Sequence, residues 1–356
     1  RAAIYEIFTE DCVFYDPTRG AHRGLDEIDC VAGAIRATHP DFRYQPIAEP
    51  EELGNGGRIQ WVSGRPGEAP AYAGKAFGIL QSLRLGGEPD AKPVKKTIRA
   101  DDGLDLVGDV RGQGDTALVF LHGWCGDREY WKNQVGVFAA DYRVVAIDQA
   151  GHGESGKGRK AWTADGLAGD VEAVVKALGL KRVILVGHSM GGLVALLAAK
   201  RMPGTVVAVI GVDTLQNAEL KPPEEESKPL LEGVAKDFKR AVRATFDGQL
   251  PEKADPELKK WLQAKAEGQD PKMALALMRD LFGLDTGKLL KEAKVPVRCI
   301  NSAGGYKFFT PTAVETNKKY ADFGAVTIDG VGHYPMLEKP DEFNRKLRDV
   351  LKEFAP

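Results

Sequence analysis

Beyond Asp115 the chain alternates short apolar runs with stretches of helical spacing. The runs Ala117 to Leu121, Arg143 to Ile147, Arg182 to Val186, Val206 to Val212, Val295 to Ile300 and Gly324 to Ile328 each predict a strand. Ala164 to Leu178 and Gly191 to Arg201 predict helices between them. Strands that are apolar throughout are buried on both faces, which implies a mostly parallel sheet covered by helices on each side. Between Ala218 and Lys291 the strand rhythm stops. Leu230, Val234, Phe238, Val242 and Phe246 recur four apart there, so this stretch predicts a helical insertion.

The first 85 residues have a different texture. Ile4 to Phe8 and Leu25 to Thr38 have helical spacing. Phe42 to Ile47, Arg58 to Ser63 and Ala71 to Phe77 look like strands between Gly, Pro and Asn turns. The polar, turn-rich stretch from Gly86 to Pro93 then predicts a linker. The expected organisation is an α+β segment over 1–85, a linker over 86–93, an α/β core over 94–217, a helical cap over 218–291, and the rest of the core over 292–356.

Composition narrows the function. Lys and Arg number 49 against 51 Asp and Glu, a net charge of −2 that argues against nucleic-acid binding, which favours a basic excess. No apolar run approaches the roughly 18–20 residues of a membrane span. Cys12, Cys30, Cys125 and Cys299 are too scattered for a disulfide framework or a zinc site, and are expected to be reduced. No leader is visible after Arg1, so a cytoplasmic location is expected, although a first residue other than Met leaves an upstream leader open.

The strongest chemical signal is Gly187-His188-Ser189-Met190-Gly191, between a predicted strand and a predicted helix. A Ser on such a turn is held in a strained conformation at the carboxyl end of the sheet, as a nucleophile requires. Its base is expected to be His333, in the glycine-rich loop after the last strand. His122, His152 and His188 are read as structural. The oxyanion donors are expected to be the N–H groups of Met190, at a helix N-terminus, and Trp124, in the loop after Leu121. Gly151-His152-Gly153-Glu154-Ser155-Gly156 could cradle a dinucleotide, but the polar Lys157-Gly158-Arg159-Lys160 that follows is no start for a sheet-packed helix.

Four motifs then occur in order: Leu121-His122-Gly123-Trp124, Asp148 to Ser155, Gly187 to Gly192, and Gly332-His333. Over 94–356 they resemble the α/β-hydrolase fold family. The resemblance implies an eight-stranded mostly parallel sheet, a helical cap and a Ser–Asp–His triad, with no cofactor and no metal. Ser rather than Asp at the elbow favours attack on a carbonyl carbon, so a small-molecule ester is the expected substrate, cleaved through an acyl-enzyme. A lactonase or C–C bond hydrolase is the enzymatic alternative, and a small-molecule binding or signalling protein on the same scaffold is the non-enzymatic one. Phe238, Phe246, Trp261, Leu262, Met278, Leu281 and Phe282 make the cap apolar.

The triad acid departs from the commoner pattern of that family. No carboxylate follows the run ending at Ile300, where Asn301 to Lys307 stand instead, whereas Val206 to Val212 leads directly into Asp213. Asp213 is therefore the expected acid, with Asp329 and Glu315 as rivals. The first segment separately resembles the SnoaL-like branch of the cone-shaped α+β fold, through Phe14-Tyr15-Asp16-Pro17, Gly24 to Ile28, Pro40 to Tyr44 and Arg58 to Trp61. Its closing strand after Phe77 is missing or replaced by Gly78-Ile79-Leu80-Gln81, and an open edge is an expected route to a homodimer or to docking. No catalytic role is carried over to Asp16, His39 or Asp41.

Overall fold

The computed structural model describes residues 93–354 other than 222, 305 and 307–310, together with 13–16 and 20–23. The chain forms two units, Arg1–Pro89 and Asp90–Pro356. In the first, β1 (Val13–Asp16) pairs antiparallel with β2 (Gly20–Arg23). The sequence pattern did not predict this hairpin, because four residues are too few to reveal an alternation. The helices and further strands expected in that unit, the SnoaL-like resemblance built on them, and the linker up to residue 92 fall outside the described residues.

The second unit is built on eight strands: β3 (Val94–Arg99), β4 (Asp105–Arg111), β5 (Thr116–Leu121), β6 (Arg143–Ile147), β7 (Arg182–His188), β8 (Val206–Val212), β9 (Val297–Ser302) and β10 (Phe323–Ile328). Their order across the sheet is β10-β9-β8-β7-β5-β6-β4-β3, and only β4 runs against its neighbours. All six predicted strands appear within two residues of their expected bounds. Neither β3 nor β4 was located by apolar runs. β3 buries only Ile98, so an edge strand of this kind carries little hydrophobic signal.

The helices in chain order are α1 (Lys132–Phe138), α2 (Ala164–Ala177), α3 (Met190–Arg201), α4 (Glu224–Lys236), α5 (Phe238–Gln249), α6 (Pro256–Glu267), α7 (Pro271–Gly283), α8 (Thr286–Ala293), α9 (Val314–Asn317), α10 (Pro335–Glu338) and α11 (Pro340–Lys352). Two apolar cores lie against the sheet. One is filled from α2, α3 and α8, the other from α1, α11 and the cap helices. Phe120, Trp131 and Phe138 are fully buried, and each such side chain contributes about 1.5–3 kcal/mol.

The insertion is helical, with α4 to α7 packed on one another, but the four-residue spacing from Leu230 to Phe246 is not one helix. Asp237 leaves helical geometry at φ −148° and caps α5, its carboxylate accepting from the Arg240 N–H at 3.1 Å. A capping acid inside an apolar period splits the helix without disturbing the stripe that both halves bury.

Sheet register aligns the ends that matter. Leu121 pairs with Gly187, His188 with Val212, and Val212 with Ile300, so the loops after β5, β7, β8 and β9 emerge side by side. Ile328 of β10 pairs with Ser302 of β9, which brings the loop carrying His333 to the same edge.

Candidate active site

Ser189 lies between β7 and α3 at φ 51° and ψ −118°, a region that costs a non-glycine residue on the order of 1–3 kcal/mol. The strain is offset by bonds on both sides of the turn. Ser189 N–H donates to the Val212 carbonyl at 3.0 Å, and the Ser189 carbonyl accepts from Gly192 N–H at 2.9 Å and the Thr214 hydroxyl at 2.9 Å. The turn closes only around glycine. A Cβ on Gly191 would stand 2.4 Å from the Leu121 carbonyl oxygen.

Asp213 follows β8 at φ 44° and is 2% exposed. Its Oδ1 accepts from the Ser302 N–H at 2.8 Å, while Oδ2 faces His333 Nδ1 and the Tyr306 hydroxyl, each at 2.6 Å. A carboxylate only accepts, so Nδ1 carries a proton, and in the neutral tautomer this leaves Nε2 as the lone-pair nitrogen. Burial and the neighbouring Asp213 push the Tyr306 hydroxyl far above its ordinary range, which keeps it a donor.

The His333 loop is held along its whole backbone. Gly332 N–H and Tyr334 N–H both donate to the Glu338 carboxylate, at 2.8–3.0 Å. The His333 N–H donates to the Gln249 carbonyl at 2.8 Å, and the His333 carbonyl accepts from His188 Nε2 at 2.7 Å. Burial raises the Glu338 carboxyl above the usual carboxylate range, and its two backbone donors work against that. The same burial drives His188 far down, so its imidazole is neutral and serves as a tie between elbow and loop.

Trp124 and Met190 line the cavity that holds Ser189, Asp213 and His333, a space of about 340 Å³. No backbone or side-chain acceptor among the described residues takes either amide N–H. The Trp124 indole N–H instead donates to the Ala274 carbonyl at 2.8 Å, which ties the donor loop to cap helix α7. Leu281 and Phe282 of the expected apolar cap line the cavity, whereas Phe246 and Leu262 are buried away from it, Phe246 stacked on Tyr334.

Both rivals of Asp213 stand elsewhere. Glu315 is paired with Lys318 on the surface, and the exposed Asp329 meets Lys339 only through its carbonyl. The glycine-rich stretch 151–156 turns around buried Asp148, which accepts from the Arg128 and Glu154 N–H groups at 2.8 Å, and no helix follows until Ala164. Cys125 and Cys299 are free and buried, and Cys12 and Cys30 lie outside the described residues. Among the described residues no three His, Cys, Asp or Glu side chains converge as a metal site, and no helix is long and apolar enough to cross a membrane.

The sequence reading missed Tyr306, Gln249, Glu338 and Ser302. Only Glu338 left a local signal, because Pro335 favours a helix start and places this acid one turn beyond Tyr334.

The sequence signature of the alpha/beta hydrolase family matches residues 118–346. The chain belongs to that family. This hydrolase-family chain is 39% identical over 189 residues to the dihydrolipoyllysine-residue acetyltransferase component of the acetoin cleaving system of Pseudomonas putida, which covers 51% of the chain and 50% of that relative. The chain thus spans about half the length of the curated relative. An esterase of Exiguobacterium antarcticum superposes with TM-score 0.65 at 20% identity, covering 73% of this chain and 100% of the esterase. The enol-lactonase of Burkholderia xenovorans superposes with TM-score 0.63 at 20% identity, covering 72% and 100%. At these identities the likeness to both structures is one of fold.

Proposed function

We propose that this chain is a serine hydrolase that cleaves a carboxylic ester or related acyl bond. Ser189 attacks the carbonyl carbon, and His333 Nε2 takes its proton and returns it to the leaving alcohol. Asp213 holds the imidazole in the tautomer this needs. The amides of Trp124 and Met190 receive the oxyanion, a role that calls for N–H groups with no other acceptor. Water then repeats the sequence on the acyl-enzyme and releases the acid.

The observation that carries the reading is the 2.6 Å bond from His333 Nδ1 to a buried Asp213, beside one cavity with a strained Ser189. The names of two fold neighbours, an esterase and an enol-lactonase, point to the same chemistry. The test is a panel of p-nitrophenyl esters with the wild type and Ser189→Ala. Turnover is expected, reduced on the order of 10⁴-fold or more in the variant. Turnover that survives Ser189→Ala would remove the nucleophile assignment. No turnover, with a ligand-induced rise in Tm, would favour the binding-protein alternative.

A further inference from the structure

The cavity has two unlike sets of walls. The end of α7 supplies Leu281 and Phe282, whereas the residues tied to His333 and Asp213, namely Gln249 and Tyr306, are polar. Tyr306 spends its hydroxyl on Asp213. Gln249 is in a different position, because only one end of its amide is used.

Gln249 is the last residue of α5, and its main-chain carbonyl accepts the His333 N–H at 2.8 Å. Its side-chain Oε1 accepts from the Tyr334 hydroxyl, also at 2.8 Å. Tyr334 is 2% exposed, stacked on Phe246 and edge-on to Tyr130, so this donor has no route to water. With Oε1 fixed, the plane of the amide is fixed, and Nε2 is the end that remains. No acceptor among the described residues takes Nε2, and the atom is not one of the buried, unpartnered polar atoms. It keeps access to solvent on a residue that lines the cavity with Ser189 and His333.

We propose that Gln249 is a specificity-determining residue whose Nε2 donates to a second oxygen on the substrate. The substrate class is an ester or lactone with a further hydrogen-bond acceptor, a keto or ether oxygen, besides the scissile group. The inference rests on the serine-hydrolase reading and adds a subsite to it. A fixed donor in a partly apolar cleft favours a ligand that pairs with it and penalises one that buries it unpaired.

The test uses isosteric pairs of p-nitrophenyl esters, 4-oxopentanoate against 4-methylpentanoate and methoxyacetate against butanoate. Each pair is measured with the wild type, Gln249→Glu and Gln249→Leu. Gln249→Glu keeps an oxygen for the Tyr334 hydroxyl but removes the donor, so it covers the case in which Gln249→Leu disturbs the loop. The readout is the oxygenated-to-alkyl ratio of kcat/KM, in which intrinsic ester reactivity cancels between enzymes. In at least one pair the wild-type ratio is expected to exceed that of both variants by about 3- to 10-fold. Equal ratios in every pair, with turnover still dependent on Ser189, would overturn the subsite and leave the hydrolase reading standing. No turnover of any ester by the wild type, or turnover that survives Ser189→Ala, would remove both.

Discussion

Asp213 makes three hydrogen bonds from a buried carboxylate, and each constrains what a substitution there can do. In Asp213→Asn the amide can still occupy the space, but its N–H₂ group competes to donate where His333 Nδ1 donates now. The imidazole then turns to the wrong tautomer. Ester turnover is expected to fall by on the order of 10²–10⁴ in kcat with little change in Tm. Wild-type turnover in Asp213→Asn, or an equal loss in Glu315→Gln, would transfer the role elsewhere. Buried histidines set the acid stability. Burial and the neighbouring His122 lower the pKa of His152 to about 3, and burial lowers those of His122 and His188. Below the unfolded histidine value of about 6.5 the unfolded chain binds protons that the folded chain refuses, so stability falls as pH falls. Between there and about pH 3, His152 alone contributes a slope approaching about 1.4 kcal/mol per pH unit. Glu338, raised in the fold, acts with the opposite sign: its contribution is present at low pH and is lost as pH rises through its folded value. Urea midpoints measured from pH 7 to 5 are expected to drop, and less steeply in His152→Gln. A flat profile would mean that these rings titrate in the fold.

At the scale of elements, the elbow is where chain geometry and chemistry meet. Gly191→Ala places a Cβ 2.4 Å from one backbone oxygen, of Leu121, and 2.8 Å from another, of His122. Neither can move without opening the β5 loop that carries Trp124. The expected cost is on the order of 3 kcal/mol or more, read as a lower denaturation midpoint together with lost turnover. Gly169 in α2 is the contrasting case, because nothing lies within 4 Å of its Cβ position. Gly169→Ala is expected to stabilise by roughly 0.5–1 kcal/mol through helix propensity. A similar response in both variants would contradict the close packing at Gly191 and the open space at Gly169.

At the scale of the molecule, the unit Asp90–Pro356 contains all eight strands of the sheet, both apolar cores, the cap and every residue assigned to the site. A chain beginning at Asp90 is therefore expected to fold cooperatively and to retain ester turnover, since a unit with its own apolar core can fold alone. Circular dichroism and the same ester panel measure both properties. Insolubility or lost turnover would mean that the first unit completes the core or the cleft.

Much of the core and the site was legible because its signals are local. The apolar run Val206 to Val212 is buried at six of its seven positions, and a strand buried on both faces must be written in apolar residues. The elbow was legible because its strain is met by glycines at fixed spacing around Ser189, and the position of Asp213 because it directly follows an apolar strand. Edge strand β3 was not legible, since a strand that faces water needs no apolar pattern. Gln249 and Tyr306 were not legible for another reason. Each acts on a partner 84 or 93 residues away, and no period or motif links such pairs. The sequence by itself determined the strands of the parallel sheet, the strained serine and the histidine loop. Tertiary structure alone decided which polar groups close around His333, because that depends on the register that brings the ends of β8, β9 and β10 to one edge.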